Sequence, residues 1–375
     1  MAKILILGGG FGGVVAAERL ANELGDQHQI TVVSRTSHFV FYPALVRLAF
    51  GKCDRDDVSF DLRRTMLNRR VNFIEAEVAR IDPSQRKVTI AHGEVEGNLQ
   101  YDYLVFALGR RLATEEIAGF YEHSHHLLNV DKAIQFGKAI SKFHQGRVVF
   151  GQCPGARLPV PVYEAAFALS RRLEETGERD KVQITLVNPE PFGPAVADAE
   201  MPLALRKALA DHHIETIPEF AVERVSAKSV IALNGQSLES DLVMLVPPFR
   251  GSPAASNLGI TSAEGYINVD RNMRVVGHDH LYAVGDCVNF GGPKMGHMAV
   301  RQGEVAAANL VSEISGEKPI AHYVHEMRVV IDEGGSDSIY IYKDLWSKEA
   351  GEVRQNRFWK WAKRAQENHW KMAHS

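Results

Sequence analysis

A glycine-rich loop between an apolar run and a helix-like segment constrains the fold of this chain more than any other feature. Lys3–Leu7 is typical of a buried parallel strand, and Val14–Leu24 has the composition of a helix. Between them, Gly8, Gly10 and Gly13 form G-x-G-x-x-G. The first glycine permits a tight turn, the second lets a diphosphate approach the backbone, and the third lets helix and strand pack closely. The alternative is a merely glycine-rich turn, but this context favours a dinucleotide site formed by Gly8, Gly10, Phe11, Gly12 and Gly13.

The end of the next predicted strand departs from the usual ribose site. After a run such as Gln29–Val33, an acidic residue would normally accept hydrogen bonds from the ribose hydroxyls of a dinucleotide. Ser34 and Arg35 stand there instead. A serine oxygen can still accept a hydroxyl proton, and an arginine can stack on adenine or reach a phosphate, so both are predicted to contact the cofactor. The alternative is that Ser34 simply ends the strand.

Two later segments indicate which dinucleotide is bound. Tyr101–Gly109 predicts a buried strand ending in a small-x-Gly turn, and Leu281–Asp286 predicts a strand ending in Gly-Asp. With the opening glycine loop, in this order and over this length, they resemble the FAD-binding pattern of flavoproteins with two dinucleotide-binding domains. The resemblance implies that Asp286 binds the ribityl chain and that the Ala107–Gly109 turn passes close to the cofactor. The predicted FAD contacts outside the first two strands are Pro43, Val78, Ala107, Leu108, Gly109, Gly285, Asp286 and Lys294.

The middle of the chain repeats the β-α-β order without the glycine motif. Arg147–Gly151, Glu164–Glu175 and Lys181–Val187 predict a strand, a helix and a strand. The loop after the first strand contains three prolines, which lack the N–H donors that a phosphate requires. Asn188 stands where a ribose-binding acid is expected. We therefore predict a Rossmann-like domain that has kept its fold and lost NAD(P)H binding.

Short segments spread along the chain carry a narrower resemblance. Together they resemble sulfide:quinone oxidoreductases from Met1 to about Leu345. Type II NADH dehydrogenases share this architecture but keep a glycine motif in the second domain, so the altered loop favours the former family. The segments are Phe39–Ala44, Leu48–Gly51, Asp57–Phe60, Pro154–Gly155, Pro161–Glu164, Glu190–Phe192, Pro247–Gly251 and Pro293–Gly296.

The cysteines on which that family's chemistry depends are absent. The corresponding positions are about Leu128, Leu158 and Met327–Val330, and these side chains cannot form a thiolate or persulfide relay to the flavin. The related flavocytochrome sulfide dehydrogenases attach FAD through a cysteine near the position of Phe41, where none is present. We therefore expect non-covalent FAD and an electron donor other than sulfide acting through the usual cysteines.

The chain has three other cysteines, Cys53, Cys153 and Cys287. Cys153 lies five residues before Leu158 and could face the flavin, and a redox pair with Cys287 is one interpretation. The alternative is inert packing, because small buried cysteines are common core residues.

Two charged residues complete the predicted catalytic set. The resemblance implies that Glu164 faces the isoalloxazine ring, where a half-buried carboxylate could carry protons; the alternative is a glutamate in a first helical turn that only complements the dipole. Lys294 would lie near the pyrimidine edge of the flavin or a quinone carbonyl and stabilise the anionic reduced flavin. The alternative for Lys294 is a solvated surface group. Glu164, Lys294 and Cys153 are the predicted catalytic residues.

Charge and composition exclude several classes of function. The 375 residues include 43 basic and 46 acidic side chains, and a net charge of −3 provides no global field to hold a nucleic acid. Three scattered cysteines predict neither a disulfide framework nor a zinc site, and we expect no metal. No apolar run approaches the roughly 18 residues of a membrane-spanning helix, and a strand-like run at Lys3 leaves no room for a signal peptide. A cytoplasmic location is therefore expected.

The C-terminal tail bears on membrane contact. Residues 353–372 have helical propensity and combine four aromatic with six basic side chains, a composition that suits an interfacial helix. Polar residues between Ala365 and His369 interrupt the apolar face, so the predicted anchor is weak. Packing of this tail on a partner subunit is the alternative.

The sequence predicts an α/β fold with two Rossmann-like three-layer domains of the FAD/NAD(P)-binding type. The expected division is an FAD-binding domain in residues 1–112 and 246–315, an inserted second domain in 113–245 and a C-terminal segment in 316–375. We predict an FAD-dependent oxidoreductase that passes electrons to a quinone or similar acceptor and forms a homo-oligomer. The alternatives are an NAD(P)H:quinone dehydrogenase and a flavin subunit that works only inside a protein complex.

Overall fold

The two sequence parts of the first domain contribute strands to one five-stranded parallel sheet. The computed structural model describes residues 1–192, 201–333 and 337–374. Apolar runs of this kind form parallel strands because helices or loops cover both faces of the sheet. The strand next to the glycine loop is central, and its last four residues are buried. Across the sheet the strands are Leu281–Ala283, Tyr103–Phe106, Lys3–Leu7, Gln29–Ser34 and Asn72–Glu75.

A second parallel sheet lies in the inserted segment. Its strand Gly146–Gln152 is paired on both sides, by Val182–Val187 and by Leu242–Val246. The edge strand Ile214–Ile217 pairs with Val182–Val187. Val246 belongs to this sheet and lies one residue beyond the expected end of the second domain at 245. The predicted α/β class, with one parallel sheet inserted between the halves of another, is confirmed.

Helices cover these sheets, and the first turns of the helices Phe11–Leu24 and Gly296–Ile314 lie near the glycine loop. The helix Phe11–Leu24 packs closely against Gly296–Ile314, and a side chain at Gly303 would meet the carbonyl oxygen of Gly12. This contact brings the start of the second helix to the glycine loop. The helices among the described residues are Phe11–Leu24, Leu45–Ala49, Leu62–Asn68, Phe120–His123, Val130–Ile140, Val160–Thr176, Leu203–Asp211, Gly296–Ile314 and Arg357–His374.

Smaller antiparallel units join the larger parts. The ribbon of Arg111–Leu112 with Phe249–Arg250 lies where the chain leaves the first domain and returns to it. Two antiparallel strands of the C-terminal segment are Glu326–Asp332 and Ser338–Asp344. The other units are Glu77–Asp82 with Lys87–Ala91 and Gly97–Gln100, Val222–Val225 with Ser229–Ala232 and Ser237–Glu239, His38–Val40 with Ser59–Asp61, and Glu352–Gln355 beside Ser338–Asp344.

Candidate active site

The glycine loop has the geometry that a bound diphosphate requires. Gly8 has a φ of +119°, and a side chain there would clash with the carbonyl oxygen of Ala107. A side chain at Gly13 would clash with the carbonyl oxygen of Gly8, which explains the close approach of helix and strand. A side chain at Gly10 would meet nothing within 4 Å, so this position borders open space. The first N–H groups of the helix have no intrahelical acceptor, and together these features fit the diphosphate of a dinucleotide.

The predicted ribose and adenine contacts lie beside this loop. Ser34 ends the second strand, and its carbonyl accepts from the backbone N–H of Ala76 at 2.9 Å. Arg35 is exposed, and Pro43 is exposed in the turn Tyr42–Ala44. Val78 is half-buried in the strand Glu77–Asp82. Their roles as cofactor contacts stay predictions.

The two later motifs meet at the same edge of the first sheet. Their strands are neighbours, and the backbone N–H of Val284 donates to the carbonyl of Phe106 at 2.8 Å. Gly109 and Gly285 both adopt positive φ, +68° and +78°, so each strand ends in a turn that favours glycine. The Ala107–Gly109 and Gly285–Asp286 turns therefore lie side by side next to the glycine loop.

Arg110, which the sequence interpretation missed, pairs with the predicted ribityl-binding aspartate. Its guanidinium contacts the carboxylate of Asp286 and lies 4.3 Å from the ring centroid of Phe249. A basic residue directly after Gly109 was a signal in the sequence. Its partner was not, because 176 residues separate Arg110 from Asp286.

Lys294 is buried rather than solvated, so the surface interpretation of this residue was wrong. Its ammonium nitrogen donates to the carbonyl of Val288 and lies 4.6 Å from the ring centroid of Tyr266. Burial and, to a smaller extent, the nearby Arg157 guanidinium together lower the pKa of Lys294 to about 7. An amine with this pKa can exchange a proton near neutral pH.

Arg157 positions the loop that carries Lys294. Its Nε donates to the carbonyl of Gly292 at 2.7 Å, and its Nη2 donates to the carbonyl of Phe290. In return, the backbone N–H of Lys294 donates to the carbonyl of Arg157 at 2.8 Å. Arg157 comes from the altered loop of the second domain, so that loop now fastens the two domains together.

Glu164 lies beyond the first turn of its helix, because the helix begins at Val160 and not at Glu164 as predicted. The interpretation that it complements the helix dipole is therefore wrong, since that effect fades within the first turn. Its carboxylate is buried, pairs with Lys363 and accepts from the backbone N–H of Asp332 at 3.0 Å. Burial raises the pKa of Glu164, while Lys363 opposes that rise. No local pattern in the sequence identifies Lys363 as its partner.

The cysteines lie in positions that do not favour thiol chemistry. Cys153 is fully buried in an apolar cluster with Val149 and Phe220, and burial raises the pKa of its thiol. Cys287 belongs to a different apolar cluster, and its S–H donates to the carbonyl of Val284 at 3.1 Å. Burial raises the pKa of Cys287 to about 11. A Cys153–Cys287 redox pair is therefore not supported, and Cys153 lacks the accessible thiolate that a nucleophile needs.

Two buried side chains are hydrogen-bonded to each other at the strand ends of the second domain, where a sheet of this type would bind a dinucleotide. The amide nitrogen of Gln152 donates to the amide oxygen of Asn188 at 2.8 Å, and both residues are buried. The Asn188 amide nitrogen donates to the carbonyl of Glu190 at 2.7 Å. This bridge joins the carboxyl ends of two adjacent parallel strands, the place at which such sheets bind nucleotides.

Neither a membrane-spanning helix nor a metal site is found in the part of the chain that the structure describes. Within residues 1–192, 201–333 and 337–374, no helix combines the length and apolar character needed to cross a bilayer. In the same ranges, no three histidine, cysteine or acidic side chains converge as ligands for a metal ion.

Comparison with known proteins decides the family. The sequence profile of pyridine nucleotide-disulphide oxidoreductases matches residues 2–303. The chain belongs to this family. As a family member it is a flavin-dependent oxidoreductase, as predicted. The profile spans the glycine loop, the altered second-domain loop, the Ala107–Gly109 and Gly285–Asp286 turns, and Lys294.

Similarity to individual family members extends over nearly the whole chain. The sulfide-quinone reductase of Aquifex aeolicus is 28% identical over 368 residues, which cover 92% of this chain and 84% of that protein. The type II NADH:quinone oxidoreductase of Staphylococcus epidermidis is 24% identical over 379 residues, covering 94% and 93%. The crystal structure of the sulfide:quinone oxidoreductase from Aquifex aeolicus superposes with a TM-score of 0.91 at 25% identity, covering 98% of this chain and 90% of that one. The predicted resemblance is confirmed.

Proposed function

We propose that this protein binds FAD in its first domain and passes electrons to a quinone from a donor other than NADH or NADPH. The observation that carries the proposal is the contrast between the two dinucleotide sites. Gly10 borders open space in the first, whereas the buried side chains of Gln152 and Asn188 are hydrogen-bonded to each other at the strand ends of the second. The names of the relatives support quinone as the acceptor, since sulfide-quinone reductase and type II NADH:quinone oxidoreductase share it.

We infer that FAD is held without a covalent bond. A cysteinyl link near the flavin would require a thiol in the Phe39–Ala44 segment, and that segment has none. The closest cysteine along the chain is Cys53, which is half-buried with its sulfur 3.9 Å from the carbonyl oxygen of Ala44. Denaturation should therefore release all of the flavin into solution. Flavin that stayed with the unfolded chain on a denaturing gel would contradict this inference.

Bound FAD would store an electron pair. The residues of this chain would bind and orient the cofactor and would exchange protons with it. Gly8, Gly10 and Gly13 would shape the diphosphate site, and Asp286 would orient the ribityl chain. Lys294 would hold or release a proton near pH 7 beside the reduced cofactor. The Glu164–Lys363 pair would hold a second proton away from water, since Glu164 is buried.

Anaerobic reduction of the purified yellow protein tests the choice of donor. We expect NADH and NADPH to bleach the visible flavin band slowly and without saturation, while dithionite bleaches it fully as the control. We expect sulfide to leave the flavin oxidised, since Cys153 and Cys287 are both buried. Thiols, persulfides and other donors are then screened with a soluble quinone.

A rapid, saturable reduction by micromolar NADH would overturn the proposal. It would favour an NADH:quinone dehydrogenase, the activity named for the Staphylococcus epidermidis relative. Failure of every donor to support quinone reduction, with the flavin still reducible by dithionite, would favour a flavin subunit that receives electrons from a partner protein. A colourless protein that takes up no FAD would contradict the first-domain assignment itself.

We further propose that the C-terminal helix rests on the inner surface of the membrane. Phe358 and Trp361 are 55% and 67% exposed with ring centroids 6.0 Å apart, and Arg357 and Arg364 lie exposed on the same helix. Exposed aromatic and basic residues together suit an interfacial helix.

Sedimentation with anionic vesicles tests the membrane contact. The full-length protein should sediment, and the variant Phe358→Ser/Trp361→Ser should remain in the supernatant with unchanged far-UV circular dichroism. Equal sedimentation of both proteins would contradict the proposal. Loss of a dimer by the variant, measured by analytical ultracentrifugation without lipid, would instead assign this surface to a homo-oligomer.

A further inference from the structure

The C-terminal helix reaches the dinucleotide loop through one aromatic residue. The ring centroid of Trp370 lies 5.0 Å from that of Phe11 and 6.0 Å from that of Phe39. Phe11 stands within the G-x-G-x-x-G motif, directly after Gly10. On the side of the long helix, a side chain at Gly296 would lie 3.1 Å from the Phe11 ring. Phe39 and Phe41 also contact the Phe11 ring, with centroids 4.9 Å and 5.6 Å away. The Phe11 ring therefore lies among these two rings, Trp370 and the start of the helix that follows Lys294.

Ion pairs and hydrogen bonds fix this end of the helix to the first domain. Glu367 is buried and pairs with Arg47 at 2.8 Å. His374 pairs with Glu18, and its carbonyl accepts from the hydroxyl of Thr65 at 2.9 Å. Glu18 belongs to the same helix as Phe11. These contacts place Trp370 against the loop rather than leaving it as a loose tail.

Backbone contacts hold the two ends of the loop: the N–H of Gly8 donates to the carbonyl of Val33 at 2.8 Å, and Gly8 and Gly13 pack closely against each other. Between these ends, Phe11 carries the only side chain of the loop. Its diphosphate site is made of backbone N–H groups, which bind only when the loop keeps one conformation. Glycines fix no conformation by themselves, because they have the widest choice of backbone angles. The Phe11 ring is the only large side chain within Gly8–Gly13, so contacts on that ring restrain the loop.

We propose that Trp370 is a positioning residue for the cofactor: through Phe11 it holds the dinucleotide loop in its binding conformation, so that retention of FAD depends on the C-terminal helix. The inference rests on the proposed function only in that the bound dinucleotide is FAD. It requires no particular electron donor or acceptor.

The rate at which the Trp370→Leu variant releases FAD tests the proposal without a measurement of catalytic activity. FAD that dissociates after dilution is followed by the rise of flavin fluorescence. We expect the variant to release FAD about tenfold faster than the wild type, because an aromatic contact on the loop is lost. Trp370→Phe should restore most of the retention. The matched control is Trp361→Leu on the same helix, which removes an exposed indole and should change the rate less than twofold.

A second measurement separates positioning from a general loss of stability. The rise in melting temperature on adding FAD should shrink in Trp370→Leu, because the variant binds the cofactor more weakly. Phe11→Leu should weaken retention similarly, and the double variant Phe11→Leu/Trp370→Leu should lose little more than either single one.

Wild-type retention of FAD by Trp370→Leu would overturn the proposal. So would a lower melting temperature with an unchanged FAD-dependent rise, since Trp370 would then be merely structural. If Trp370→Leu does not fold, Trp370→Phe and Phe11→Leu decide through the same two measurements. Because no donor is used, the proposed function can fail while this inference holds, and the reverse is also true.

Discussion

At the scale of single residues, the neutral form of a buried lysine links stability to pH. The pKa of Lys294 is about 7 in the folded protein, against an ordinary 10.5 in the unfolded chain. Between these two values the unfolded chain binds more protons than the folded one, so the free energy of unfolding rises with pH. The slope from this one group is at most about 1.4 kcal/mol per pH unit.

Lys294→Met should remove that part of the pH dependence. In cofactor-free protein, we expect the variant to be more stable than the wild type at pH 7, with the difference narrowing toward pH 9. Urea unfolding at pH 7, 8 and 9 measures it. Lys318→Met replaces an exposed lysine and should run parallel to the wild type. A constant difference between Lys294→Met and the wild type across this range would contradict the prediction.

The buried pair of Glu164 and Lys363 makes a second residue-scale prediction. Lys363→Met leaves the Glu164 carboxylate buried beside only the N–H of Asp332, and we expect a loss of about 3 kcal/mol in the free energy of unfolding. The double variant Lys363→Met/Glu164→Gln should regain most of that loss, because no uncompensated charge remains. Chemical denaturation of both, together with Glu164→Gln alone, completes a double-mutant cycle. Additive effects would show that the two side chains are not coupled.

At the scale of elements, different glycines of the loop serve cofactor binding and the stability of the fold. A methyl group at Gly10 enters open space, so Gly10→Ala should leave the unfolding free energy of cofactor-free protein within about 1 kcal/mol of the wild type. The same methyl group narrows the approach of the diphosphate, and FAD affinity should fall at least about tenfold. Titration followed by flavin fluorescence and thermal unfolding measure the two effects.

Gly13→Ala is the matched contrast. Its added methyl group would clash with the carbonyl oxygen of Gly8, so helix and strand must separate. We expect a loss of roughly 2 kcal/mol or more in the cofactor-free protein. If Gly10→Ala proved as destabilising as Gly13→Ala, Gly10 would not be a position that serves binding alone.

Local patterns explain why most strands and the first helix could be predicted from the sequence. Apolar runs followed by glycine turns fix Lys3–Leu7 and Tyr103–Phe106 through neighbours in the chain. The helix after the altered loop was predicted to begin four residues late, at Glu164 instead of Val160. Its first turn contains Pro161 and apolar residues, and a proline near a helix start resembles a loop signal when read alone.

At the scale of the whole molecule, contacts between distant segments could not be predicted. Glu164 and Lys363 are 199 residues apart, and Arg47 and Glu367 are 320 residues apart. Nothing in either local sequence specifies the other partner. The basic, aromatic tail was therefore interpreted as a surface for a membrane or a partner subunit, and its packing on the glycine loop was missed.

Arg157 makes the prediction that belongs to this scale, because it joins the two dinucleotide-type domains. Arg157→Met leaves the carbonyls of Phe290 and Gly292 without this donor, and we expect a loss of about 2 kcal/mol in the free energy of unfolding. Arg157→Lys should recover less than half, since an ammonium group cannot reproduce the planar fork. Denaturation of the cofactor-free variants measures this. Full recovery by lysine would mean that charge, not geometry, fastens the domains.

The amide bridge of the second domain has a consequence for redesign. Exchanging Asn188 for an acid would not make this chain accept a nicotinamide coenzyme, because the buried Gln152 amide could still donate to the new carboxylate and would stay at the strand ends. The exchange would also remove the amide donor to the carbonyl of Glu190. A side chain on Gly151 would clash with Val187, so this strand position has no room for a larger residue. The three prolines after Gln152 also withhold amide donors. Switching the coenzyme would therefore require transplanting the whole connection, and with it the anchor that Arg157 gives to the neighbouring domain.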